Sequence, residues 1–282
     1  MAEPASPAAS SATSTGAGEA RVAAAFAAAR EQGRAALMPY MMGGFPDAEA
    51  SRAIARAYAD SGADLIELGI PFSDPLADGP VIHAAATTAL EAGSGLEQAL
   101  ESCAEVSDRV PVVVMAYSNM ILAVGGEAFA SRLADAGACG VIVPDLPLGE
   151  GAEVREAIAG AGLALVPLVA QTTEPSRRLE IIRIAQGFIY AVAVIGTTGE
   201  RSGDVGEALR DFVSDLRERA EVPVSVGFGI STPEQVAAFG EVADGVIVGS
   251  RLVREVQDAS DTEAAVAAVS RFLSEAKEAL DG

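Results

Sequence analysis

Residues 35–70 read "AALMPYMMGGFPDAEASRAIARAYADSGADLIELGI". Two short apolar runs, "AALMPYMMG" at 35–43 and "ADLIELGI" at 63–70, bracket the polar–apolar periodic segment "DAEASRAIARAYADSG". Near-continuous apolarity over so few residues is the pattern of a strand buried on both faces, as in a parallel sheet. The segment between reads as an amphipathic helix. Gly62 falls where that helix would stop, in a place suited to left-handed backbone. The stretch is one strand–helix–strand unit.

The unit recurs. Further runs are "VPVVVMAYS" at 110–118, "CGVIVPD" at 139–145, "LALVPLVAQ" at 163–171, "GFIYAVAVIG" at 187–196, "VPVSVGFGI" at 222–230 and "DGVIVGSRL" at 244–252, making eight in all. Amphipathic segments at 126–137, 148–162 and 174–186 lie between them, and Gly137 and Gly162 stand where two of these would end. Ser231-Thr232-Pro233-Glu234 joins an N-cap candidate to a proline in a first helical turn. Two helices, 80–91 and 95–106, are expected after the second strand, and a last one over roughly 262–280. Residues 19–32 read as an extra N-terminal helix because alanine favours helix. Residues 1–18 are Ala/Ser/Pro-rich, without a secretory pattern, and are expected to form a disordered tail ahead of a catalytic domain at 19–282.

Eight strands alternating with helices give an α/β fold with a parallel sheet. Closing that sheet produces a single (β/α)8 TIM barrel, and 282 residues suit one such domain. The rival open, doubly wound sheet would place G-x-G-x-x-G after the first strand, and none occurs there.

Composition narrows the chemistry. Net charge is −21 and pI near 4.3, which argues against nucleic acid or an anionic membrane as partner. No apolar stretch approaches the ~18 residues of a membrane span, and the two cysteines, Cys103 and Cys139, fit a reduced cytoplasm. The chain has one histidine, His83, and one lysine, Lys277 near the C-terminus. A metal site built on several histidines is excluded, and a Schiff base would have to recruit the terminal helix. Carboxylates, tyrosines, hydroxyls and backbone must carry any chemistry.

In a barrel these act at the C-terminal strand ends. The residues there are Tyr40, Glu67, Tyr117 with Asn119, Asp145, Gln171 with Thr172, Tyr190, Gly227 to Gly229, and Gly249 with Ser250. Glu67, flanked by Ile66 and Leu68, is a carboxylate in a buried strand. Burial raises its pKa, which suits a group that both gives and accepts a proton near neutrality. The glycine-rich ends of the last two strands let backbone N–H groups approach an anion, and barrels often bind phosphate there. Arg251 follows Ser250 in that region. "GTTGERSG" at 196–203 is a candidate lid. His83 and Asp74 are assigned by default to a helix first turn and to loop structure.

These motifs resemble a known family. "ELGIPFSDPLADGPVI" is similar to the signature of the tryptophan synthase alpha chain, and "MAYSN", "VIVPDLP", "GFIYAV", "GTTG", "VPVSVGFGIS" and "ADGVIVGS" follow in that family's order over roughly residues 20–280. The resemblance implies reversible retro-aldol cleavage of indole-3-glycerol phosphate to indole and glyceraldehyde 3-phosphate. It implies Glu67 as the acid/base and Asp78 as the acceptor for the indole N–H. By the same match Tyr40, Tyr117, Asn119, Tyr190 and Thr198 contact substrate, and Gly199, Gly229, Gly249 and Ser250 hold its phosphate. No metal and no cofactor are implied in this chain. Pyridoxal phosphate is expected in a partner beta chain, within an alpha–beta–beta–alpha complex. A free-standing indole-glycerol-phosphate lyase and a non-catalytic regulatory barrel are the alternatives. The chain departs from the family's usual motifs at Met120 and Gln171, where proline is common.

Overall fold

The computed structural model describes residues 16–192, 206–227 and 229–282. The strands are β1 (Ala36–Met42), β2 (Ile66–Gly69), β3 (Val112–Met115), β4 (Gly140–Ile142), β5 (Ala164–Val166), β6 (Leu168–Ala170), β7 (Ile189–Val192), β8 (Val224–Gly227) and β9 (Gly245–Val248). The helices among the described residues are α1 (Ala17–Glu31), α2 (Ala48–Asp60), α3 (Pro80–Glu91), α4 (Leu96–Ala104), α5 (Ser118–Val124), α6 (Gly126–Asp135), α7 (Ala152–Gly160), α8 (Pro175–Arg183), α9 (Glu207–Arg219), α10 (Pro233–Gly240), α11 (Ser250–Asp258) and α12 (Thr262–Asp281).

All strand pairs are parallel, in the order β5-β4-β3-β2-β1-β9-β8-β7-β6. The eight expected runs appear as nine strands because Pro167 divides the fifth run. Proline has no N–H to donate to a ladder. The half before it pairs with β4 and the half after it with β7, while the Pro167 carbonyl accepts from Tyr190 N–H at 2.9 Å. The ring of hydrogen bonds therefore stops at this proline, and the covalent chain completes the barrel.

Helix ends follow the local chemistry. Asp47 caps α2 by accepting from the N–H groups of Glu49 and Ala50, each at 2.9 Å. Thr232 caps α10 ahead of Pro233. Gly62, Gly137 and Gly162 all have positive φ just past helix ends, as expected from sequence. Two expectations need correction. The first helix begins at Ala17, two residues before the start expected at 19; there Gly18 lies so close to Cys139 that a Cβ would strike the Cys139 carbonyl. Between β3 and β4 there are two helices, α5 and α6, where one was anticipated. Gly125, at φ 90°, separates them.

Strand parity fills the lumen in layers. Val113, Ile142, Val166, Phe188 and Ile247 point inward and meet Val22, Phe26 and Ala29 of α1, which seals the N-terminal end. The Phe26 and Phe188 rings lie 5.7 Å apart. Beside this floor Asp64 accepts from the Arg34 guanidinium at 2.6 and 2.8 Å, from Lys277 Nζ at 3.1 Å and from Leu37 N–H at 2.8 Å. That knot ties β1 to the C-terminal helix.

Candidate active site

Above the packed lumen lies a cavity of about 350 Å³ at the C-terminal strand ends. Tyr40 and Glu67 are register partners on β1 and β2, and both line it. Glu67 is 1% exposed, and its buried Oε2 has no hydrogen-bond partner among the described residues. Burial, and after it the nearby Asp78, pushes the Glu67 carboxyl up to about 8. It is thus a protonated acid near neutral pH, without the arginine partner that a structural role for a buried carboxylate would call for.

Asp78 reaches the cavity from the loop after β2. Its pKa is raised by partial burial, while Tyr117 and His83 pull it back down. The two carboxyls therefore occupy different environments, the arrangement that separates a proton donor from an ionised acceptor. The loop is held by Tyr117, whose ring stacks on Phe72 at 5.2 Å and whose hydroxyl accepts from Ala77 N–H at 3.1 Å. Tyr117 is placed in turn by α5, whose first residue Ser118 donates N–H and Oγ bonds to Asp145 at 2.8 and 2.7 Å.

Tyr40 and Tyr190 are buried phenols held well above their ordinary pKa, by burial first and then by the two carboxyls, so they remain O–H donors. Each leans over a glycine on the neighbouring strand. A Cβ at Gly69 or at Gly227 would collide with the Tyr40 or Tyr190 hydroxyl. Met115, Leu168, Val192 and Ile247 give the cavity its apolar wall. Gly229, Gly249 and Ser250 also line the cavity, where the first-turn amides of α11 have no intrahelical acceptor.

The cavity thus gathers Tyr40, Glu67, Asp78, Tyr190, Gly229, Gly249 and Ser250 of the sequence candidates. Tyr117 stands behind the Asp78 loop, and Asn119 is exposed on α5, outside the cavity lining, because the chain turns into helix at Ser118. Asp145 serves as the α5 cap, and Gln171 and Thr172 do not line the cavity. His83 is exposed in the first turn of α3, and Asp74 is exposed with the Ser73 hydroxyl bonded to it. Thr198, Gly199 and the candidate lid lie outside the described residues. Sequence reasoning missed the apolar wall, although Met115 sits two residues before the candidate Tyr117 and Val192 two after Tyr190, and it missed Arg254.

Comparison with known proteins points the same way. The family described as tryptophan synthase alpha chain matches residues 26–281. The tryptophan synthase alpha chain of Carboxydothermus hydrogenoformans is 48% identical over 240 residues, covering 84% of this chain and 90% of the relative. That of Synechococcus elongatus is 45% identical over 259 residues, covering 91% and 95%. A Mycobacterium tuberculosis tryptophan synthase structure superposes with a TM-score of 0.84 at 34% identity, over 93% of this chain and 98% of the other. A match over nearly the whole barrel, with an unpaired buried glutamic acid and an aspartate facing one cavity, leaves a single assignment: the chain belongs to the tryptophan synthase alpha chain family.

Proposed function

We propose that Glu67 and Asp78 carry out the family's reaction, cleavage of indole-3-glycerol phosphate, by proton transfer alone. Protonated Glu67 gives its proton to indole C3, which turns the ring into an electron sink. The ring N–H becomes more acidic as positive charge develops, and ionised Asp78 accepts its hydrogen bond. The Glu67 carboxylate then takes the proton of the glycerol hydroxyl next to the ring. The bond between that carbon and C3 breaks, its electron pair restores the indole, and the hydroxyl carbon becomes the aldehyde of glyceraldehyde 3-phosphate. Glu67 ends protonated again. The observation that carries this reading is the burial of Glu67 with its carboxyl pushed up to about 8.

The remaining roles follow from placement. The apolar wall takes the indole ring, with Tyr40 and Tyr190 beside Glu67. Gly229, Gly249 and Ser250 take the phosphate; Gly199, assigned to the phosphate, and Thr198, assigned to substrate and the Asp78 loop, lie outside the described residues. No step calls on a cofactor in this chain; pyridoxal phosphate belongs to the partner beta chain, in a cytoplasmic alpha–beta–beta–alpha complex. Leu76 on the Asp78 loop is 85% exposed and Leu122 on α5 is 65% exposed, an apolar rim that such a partner would cover.

The test is indole release by wild type and Glu67→Gln, each with and without a cognate beta chain. The variant is expected to lose on the order of 10³-fold in rate while keeping its circular dichroism spectrum. Retained turnover would overturn the assignment of Glu67. Full wild-type activity without any beta-chain complex would overturn the partner.

A further inference from the structure

The cavity contains two carboxyl groups, Glu67 and Asp78, and among its described lining residues a single basic one, Arg254. A substrate carrying a phosphate dianion must therefore enter a site with acid at one end, in a chain of net charge −21. The glycines and Ser250 offer backbone dipoles, which are partial charges only. Arg251, the basic residue next to Ser250 in sequence, is turned away. Its guanidinium pairs with Glu255 and lies over the Phe272 ring at 5.5 Å.

Arg254 sits differently. It lies four residues after Ser250 on α11, so it stands one turn above Ser250 on the same helix face. Helical side chains lean toward the N-terminus, and one turn is about 5.4 Å, within the span of an arginine side chain. Arg254 is exposed, makes no hydrogen bond or ion pair with any described residue, and lines the cavity that Gly229, Gly249 and Ser250 also line. A helix-face arginine with no cavity beside it would be an ordinary solvated charge.

We infer that Arg254 is a further substrate-binding residue, one that supplies the full positive charge for the phosphate and sets the preference for a phosphorylated over an unphosphorylated glycerol chain. The inference rests on the phosphate-end reading proposed above. A guanidinium placed there makes charge-assisted hydrogen bonds to phosphate oxygens in addition to the amide cradle. It also offsets repulsion between the acidic molecule and its anionic substrate during approach.

The experiment uses the full chain with Arg254→Gln and Arg254→Lys. Binding of glycerol 3-phosphate is measured by calorimetry, binding of indole by fluorescence competition, and indole release with the beta chain. Arg254→Gln is expected to raise Kd for glycerol 3-phosphate and KM for indole-3-glycerol phosphate about tenfold, to lower kcat by less than about threefold, and to leave indole affinity within about twofold. Arg254→Lys should recover part of the loss. Raising KCl from about 50 to about 500 mM should weaken glycerol 3-phosphate binding to wild type more steeply than to Arg254→Gln. A Kd change below about threefold, or an equal loss of indole affinity, overturns the inference. Glycerol 3-phosphate binding is read without turnover. A chain that depends on Arg254 for that ligand yet releases no indole would overturn the catalytic reading and leave this one standing.

Discussion

The Tyr117 hydroxyl accepts the N–H of Ala77, the residue immediately before Asp78, at 3.1 Å. Through that bond a side chain from the end of β3 fixes the height of a carboxylate that enters from the loop after β2. Tyr117→Phe removes the acceptor and the group that holds Asp78 down in pKa. With one hydrogen bond worth about 1–1.5 kcal/mol, kcat should fall roughly tenfold. The acid limb of the pH–rate profile should move to higher pH, a shift that a loss of packing alone would not produce.

In the proposed mechanism Glu67 is protonated at the start and Asp78 ionised to assist it. Turnover should therefore decline as pH rises through about 8, where Glu67 loses its proton. It should also decline on the acid side, at a pH above the ordinary aspartate range because the Asp78 pKa is raised. Asp78→Asn should lose about 10²-fold or more in kcat and should flatten the acid limb. An unchanged acid limb would assign it to another group.

The same shift predicts a stability effect. Folded Glu67 holds its proton up to about 8, whereas in the unfolded chain it releases it near 4.5. Between those values the folded state binds more protons, so stability falls as pH rises. Glu67→Gln removes that dependence. Its stability relative to wild type should increase between pH 5 and pH 8 by on the order of 3–5 kcal/mol, read as a difference in denaturant midpoints.

Gly69 and Gly227 leave room for the Tyr40 and Tyr190 hydroxyls. Gly69→Ala should push the Tyr40 ring into the cavity and lower kcat/KM by about 10²-fold, with the secondary structure intact. Gly227→Ala should act likewise through Tyr190. Combining Gly69→Ala with Tyr40→Phe, which removes the colliding oxygen, should restore part of the activity.

Asp64 is a structural counterpart to the two acids proposed as catalytic. It takes bonds from Arg34, Lys277 and Leu37, and the Arg34 side chain is 2% exposed. Asp64→Asn leaves a buried guanidinium without its full counter-charge and should cost about 3 kcal/mol. A thermal melt checks this, and kcat/KM at 25 °C should stay within about twofold of wild type because Asp64 lies at the far end of the barrel.

Features set by local patterning were legible in the sequence. β1 is buried along its whole length, as its apolar run predicts, and Gly62, Gly137 and Gly162 stop helices where expected. Glu67 stood out because an acid is costly in a buried strand. What escaped depends on partners far along the chain. Helix α5 begins at Ser118 because Asp145, 27 residues later, caps it, and that turn carries Asn119 away from the cavity. The division at Pro167 depends on which neighbour each half of the run pairs with. Arg251 and Arg254 are equivalent as letters. Only the packing of α11, with Arg251 over Phe272, decides which of them lines the cavity.

Helix α1 gives the barrel a floor. Phe26 and Val22 pack among Phe188, Leu65 and Cys139 below the layer of Glu67. With that end packed, the described residues place the cavity's opening at the Asp78 loop, where Leu76 is exposed. The stopper at one end turns traffic toward the other, where a partner seated on the rim would meet the product.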